Sequence, residues 1–245
     1  MPTCRHYSVS LLLLAGWLLF ALGTPARAQV ADMQNLTASS AQLASTMALA
    51  HAIKVRGTTR PAMKATSAGA QRYTYVSSPA LRQQTVRQLA ARLQPSDPAA
   101  AKSLTDSFGP GKTDYGQLYK SILDDTPLPD NDAAAALAAY LLTGYLVVNN
   151  IRDSKAITPA MAQGVRTQVA ALLAGSSALA SPQAVGQVGE EMKLQTVILA
   201  LGAQQSMKTN AFAAFQRSTR QLFSSQYGFD MTKVRPTSQG FIKQQ

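Results

Sequence analysis

The sequence predicts an all-α protein, a single helical bundle of about six to seven helices, and three observations carry the prediction. From Tyr73 onward apolar residues recur at three- and four-residue spacing. Ser-Pro and Asp-Pro pairs stand where helices would open. No run alternates apolar and polar residues as a half-buried strand does.

The elements follow in order. Ser78-Pro79 pairs an N-cap with proline at the first helical position, and Leu81, Val86, Leu89 and Leu93 then share one face, with Arg82, Arg87 and Arg92 expected largely outside. Pro95 ends that helix, and Asp97-Pro98 opens a second running to about Phe108. A third is expected from about Thr113, acting as its cap, to Leu123. Ala133 to Val148 has no charge between Asp132 and Arg152, yet would make a rod of only ~24 Å, short of the roughly 30 Å hydrocarbon core. It reads as a buried central helix. Further helices are expected from about Pro159 to Leu173, Pro182 to Ser206 and Asn210 to Tyr227. After Gly228 the chain reads as an irregular tail whose Phe229, Met231 and Phe241 fold back onto the bundle.

The amino-terminal third has a different character. Residues 1-28 have the layout of a secretory signal: Arg5 and His6, an apolar run from Val9 to Leu22, and the small residues Ala26 and Ala28 before Gln29. The expected cleavage lies between Ala28 and Gln29, which makes the protein periplasmic or secreted. Residues 29-71 read as a low-complexity extension, with a helix over Met33 to Ile53 and a basic linker over Lys54 to Gln71; residues 72-245 form the helical domain. Cys4, the one cysteine, lies within the signal, so the mature chain has no thiolate chemistry, disulfide or cysteine-ligated metal.

Charge is uneven. Cleavage removes Arg5 and Arg27, which leaves 23 − 2 − 12, or +9. Ala52 to Lys120 holds 11 Lys or Arg against 3 Asp, whereas Ser121 to Gln204 holds 4 against 7 acids. A basic amino-terminal half fits anionic envelope components, or another protein, as partners.

No catalytic constellation stands out. Ser107-Phe-Gly-Pro-Gly-Lys-Thr113 ends as a phosphate-cradling loop ends, but Asp106 occupies the place of that motif's first glycine and a helix, not a strand, precedes it. The stretch reads as a connector with Gly109 and Gly111 in a turn, and no nucleotide or other cofactor is expected. His51 is the only histidine after cleavage, which leaves no Ser-His-Asp triad or zinc site within the domain. Asp124, Asp125, Asp130 and Asp132 surround Pro127 and Pro129, but no glycine or glutamate completes a calcium loop. Helix capping by Asp130 or Asp132 accounts for them, and no metal is expected. Basic residues around Tyr73 and Tyr75 have the composition for stacking single-stranded nucleic acid, without a recognisable module around them. Glu190 and Glu191 are the only glutamates. They read as solvated charges on an amphipathic helix; the catalytic alternative is one of them as the acid of an envelope-glycan hydrolase or lyase.

The segments "AAAALAAYLLTGYLVVNN" and "GVRTQVAALLAG" and the ending "YGFDMTKVRPTSQGF" resemble a family of uncharacterised exported bacterial helical proteins, classified as a domain of unknown function. The closing Gly228-Phe229-Asp230 with Thr237, Gly240 and Phe241 is similar to that family's Gly-x-Asp and Thr-x-x-Gly-Phe ending, whereas Leu141 and Tyr145 stand where relatives tend to carry tryptophan. The resemblance implies a helical secreted domain without an assigned reaction. Taken together, the expectation is a non-enzymatic exported binding or assembly module, with the envelope-glycan enzyme as its rival.

Overall fold

The computed structural model describes residues 73-124, 126-174, 176 and 179-244, the side chain of residue 226 excepted. The expected signal, extension and linker lie outside these residues. Seven α-helices follow one another: α1 (Pro79–Leu93), α2 (Pro98–Phe108), α3 (Tyr115–Leu123), α4 (Ala133–Val148), α5 (Pro159–Leu173), α6 (Pro182–Lys208) and α7 (Phe212–Tyr227). Four of the starts combine proline in the first turn with a side-chain cap, supplied by Ser78, Asp97, Thr158 and Ser181.

The all-α class holds, with two local corrections. The ending is not irregular. After a 3₁₀ turn at Met231–Lys233, strands β1 (Val234–Thr237) and β2 (Gly240–Lys243) form an antiparallel hairpin that packs on α5. The strands are four residues each, too short for alternation to be legible, and the closure is local: Thr237 Oγ1 donates to the Gly240 carbonyl (2.8 Å), and Gly240 sits at φ +104°. The expected fold-back does occur, with Met231 and Phe241 buried. Secondly, Asp114 rather than Thr113 caps α3, its carboxylate accepting from the Gly116 N–H at 2.9 Å. Gly109 closes α2, and Gly111 turns the connector at φ +73°.

Helices α4 and α6 form the centre. They pack against each other more extensively than any other pair, and α6 also meets α1, α3 and α7, while α5 lies on α4. Ala133 to Leu142 is buried without interruption, as the lack of charge predicts. Less expected is α6, where every residue from Val188 to Leu199 is buried despite carrying Glu190, Glu191, Lys193 and Gln195. Small residues permit the close packing. A side chain at Gly144 of α4 would collide with the Phe223 ring of α7, and one at Gly202 would press on Phe215.

Gly144→Ala is therefore expected to destabilise the protein by about 1–3 kcal/mol through overpacking. Thermal unfolding checks this, and Phe223→Leu in the same chain should recover part of the loss. An unchanged midpoint for Gly144→Ala would contradict the packing described.

Candidate functional site

The chain enters the described domain through a short extended segment. Tyr75 N–H donates to the Asn131 carbonyl (3.0 Å) and Ala133 N–H to the Tyr73 carbonyl (2.9 Å), an antiparallel bridge centred on Thr74 and Asp132. The alternation of an extended chain turns both tyrosines the same way. That way is inward. Tyr73 is 2% exposed and donates to the Ala170 carbonyl (2.9 Å), and Tyr75 is 9% exposed, so neither offers a ring for stacking on nucleic acid.

Tyr75 leads to the most polar part of the core. Its hydroxyl donates to Glu190 Oε1 (3.0 Å), and that of Tyr115 on α3 donates to Oε2 (2.8 Å). Lys193, one helical turn on, donates to the same Oε1 (3.2 Å), to Asn131 Oδ1 (2.9 Å), and pairs with Asp130 Oδ1 (2.9 Å). Its ammonium also lies 5.3 and 5.4 Å from the ring centres of Tyr75 and Tyr119, within reach of cation–π attraction. Glu190 and Lys193 are 0% and 1% exposed. A buried charge is tolerable only when paired and hydrogen-bonded, and here the groups named meet that condition.

The location corrects the expectation of solvated glutamates. Glu191 is buried too, paired with Arg92 Nη2 (2.9 Å) and accepting from Gln195 Nε2 (3.4 Å). Arg82 and Arg92, expected largely outside, turn inward for the same reason: Arg82 pairs with Asp114 (2.7 Å) as Arg92 does with Glu191. The missed signal was Gly189-Glu190-Glu191 standing between Val188 and Met192-Lys193-Leu194. A Cβ on Gly189 would run into the Tyr75 ring, so this glycine lets the tyrosine lie flat on α6 beside the carboxylate it serves.

The aspartates divide as the sequence suggests for one of them. Asp132 caps α4, accepting from Ala135 N–H (2.7 Å), and its carboxylate also receives Arg166 Nη2 (2.6 Å) from α5. Asp130 instead faces lysines: Lys193, and more loosely Lys120 at 3.7 Å. Among the described residues, no group of three or more His, Cys, Asp or Glu side chains is placed to hold a metal ion.

Above Lys193 a cleft of about 130 Å³ opens to solvent. Ser77, Arg82, Gly116, Gln117 and Lys120 line it together with Asp130, Asn131 and Lys193. Arg82 donates through Nη1 to Ser77 Oγ (2.9 Å), while its buried Nε–H finds no acceptor among the described residues. Glu190 does not line this cleft. The chain matches no protein-family model, and no curated protein or solved structure is significantly similar to it.

Tyr75, Tyr115 and Tyr119 stand beside these charges, and Tyr140 and Tyr227 are buried against Phe223. Burial, then the Glu190 charge, pushes Tyr75 and Tyr115 far above the usual tyrosine range. Burial, then Asp130, does the same for Tyr119, and burial raises Tyr140 and Tyr227. Folded phenols stay protonated where unfolded ones ionise, at about pH 10. Stability from this source is full below that pH and falls above it, by up to about 1.4 kcal/mol per pH unit for each phenol. An alkaline titration should show tyrosinate absorbance appearing together with loss of helical circular dichroism. Titration of all the tyrosines at their ordinary pH with the helices intact would contradict the burial.

Proposed function

We propose that this chain is a non-enzymatic exported helical module that binds or assembles at the cell envelope, with its basic surface as the contact. The observation that carries the reading is how the fold partitions charge. Asp132, Glu190 and Glu191 are buried against Arg166, Lys193 and Arg92. Over residues 73-120, Arg87, Lys102, Lys112 and Lys120 stay exposed, and the one exposed carboxylate there, Asp106, is paired with Lys102. Each of these burials removes an acid together with a cation, so the outer surface keeps the basic balance of the composition, which favours anionic partners.

A second basic region accompanies it. Residues 205-245 hold six Lys or Arg against Asp230 alone. Arg217, Arg220, Lys233, Arg235 and Lys243 are exposed there, with Asp230 between Arg220 (3.5 Å) and Lys233 (3.9 Å). Among the described residues, no helix is long and apolar enough to cross a membrane, so an envelope contact through them would be a surface contact.

The rival reading gives Glu190 or Glu191 the role of glycosidic acid. Such an acid must reach the leaving oxygen within hydrogen-bond distance. The contacts of Glu190 described above are to two phenols and an ammonium, and Glu191 is equally enclosed. Their burial supports the binding reading over the enzymatic one.

The full chain is expected to sediment with anionic lipid vesicles or wall fragments at low salt and to be released as the screening length falls from about 30 Å to about 3 Å. Arg87→Glu with Lys112→Glu should weaken that binding without changing the circular dichroism. Indifference to both materials would end the proposal. So would wall-degrading activity that Glu190→Gln or Glu191→Gln abolishes while the fold is retained.

A further inference from the structure

The second basic region differs from the interior charges in how loosely the fold holds it. Inside, arginine meets carboxylate at short range, Arg166 on Asp132 at 2.6 Å and Arg92 on Glu191 at 2.9 Å, as charge-assisted bonds do. Asp230 is held otherwise. Its Oδ1 accepts from the Thr232 hydroxyl (2.7 Å) and N–H (3.1 Å), while Arg220 and Lys233 stand 3.5 and 3.9 Å from Oδ2. Those two contacts are long, and the side chains making them are 54% and 79% exposed. Both cations keep donors for a ligand, and the shared oxygen keeps them side by side.

Local structure extends this pair into a track. Arg217 lies one turn before Arg220 on the exposed face of α7, about 5–6 Å from it between Cβ atoms. On the hairpin side burial alternates: Val234 and Pro236 turn inward, whereas Lys233 and Arg235 turn outward, about 6.6 Å apart. Arg217, Arg220, Lys233 and Arg235 are thus successive neighbours across two elements, with Asp230 the one carboxylate among them. Among the described residues, no carboxylate lies within ion-pair reach of Arg217 or Arg235.

A track of cations suits a chain of anions. Of the rings on α7 and around the hairpin, Phe215, Phe223, Tyr227 and Phe241 are buried, and Phe212 and Phe229 pack half-buried against the core. No ring there lies open for a base to stack on. The large apolar side chains exposed among the described residues, Val76 and Met207, stand outside the track, which therefore offers no anchor to hydrocarbon. A carboxylated glycan requires neither. Three of the four cations are arginine, whose planar fork takes a carboxylate through two parallel bonds.

We propose that this track binds a linear acidic polysaccharide that carries carboxylates on its sugars. The proposal rests on the basic-surface reading and names the partner of its second region. Each carboxylate takes one cation, so affinity grows with the number of charged sugars.

The experiment titrates the full chain by calorimetry at low salt with a galacturonic acid hexamer, with galacturonic acid itself, with the neutral sugar maltohexaose and with a thymidine hexanucleotide. The uronate hexamer should bind saturably and at least tenfold more tightly than the monomer, and maltohexaose should not bind. Arg220→Gln with Arg235→Gln, both at exposed positions, should weaken the hexamer at least tenfold with circular dichroism unchanged. Arg217→Gln alone should weaken it at least twofold, and Arg87→Glu with Lys112→Glu by less than that. The proposal is overturned if the hexamer gives no saturable binding at about 1 mM, or if the hexanucleotide binds as tightly. Undiminished binding in the track variants, or a larger loss in Arg87→Glu with Lys112→Glu, would overturn it as well. A chain that sediments with vesicles or wall fragments but ignores the hexamer ends this proposal alone; indifference to all of them ends both.

Discussion

The structure depends on satisfying one carboxylate in its interior. Glu190 lies about a third of the way along the longest helix among the described residues, sealed from water, and four separate pieces of chain bring it partners or neutralise those partners. The segment before α1 supplies Tyr75, α3 supplies Tyr115, α6 itself supplies Lys193, and the turn before α4 supplies Asn131 and Asp130 to that lysine. Apolar packing alone would let those pieces slide against α6 at small cost. An unpaired buried charge does not permit this, because each partner is needed at hydrogen-bond distance. The network thus fixes where the entering strand, α3 and the α4 cap sit relative to one another.

The same economy of carboxylates shapes the surface. Asp132 joins the start of α4 to Arg166 on α5, and Glu191 reaches Arg92 on α1, so acids from two places in the chain serve contacts between elements. Cations without such a duty remain outside. Lys120 and Asp130 lie at the border between interior and surface, where the buried network opens into the polar cleft. The small recess above Lys193 thus stands at the edge of the network.

The helices were legible because their signals are local. Ser78-Pro79, Asp97-Pro98, Thr158-Pro159 and Ser181-Pro182 each state a start in two residues, and the charge-free run after Asp132 states its own burial. The hairpin was not legible, since four-residue strands carry no periodicity and their pairing depends on the turn at 238-239 and on the face of α5. The Glu190 network was not legible either. Charged residues are almost never buried unless paired, and the partners here are 115, 75 and 62 residues away in sequence for Tyr75, Tyr115 and Asn131. Composition places glutamate and lysine outside; only the tertiary arrangement of two tyrosine-bearing segments and the turn before α4 reverses that.

The central claim is that Glu190 and Lys193 are coupled and that the fold relies on the coupling. A double-mutant cycle by chemical denaturation, with Glu190→Gln, Lys193→Met and the pair, measures it most directly. Removing one partner of a buried pair strands the other, at about 3–5 kcal/mol, whereas removing both strands less, so the pair should cost clearly less than the sum of the singles. Single losses within about 0.5 kcal/mol of zero, or strict additivity, would contradict the account.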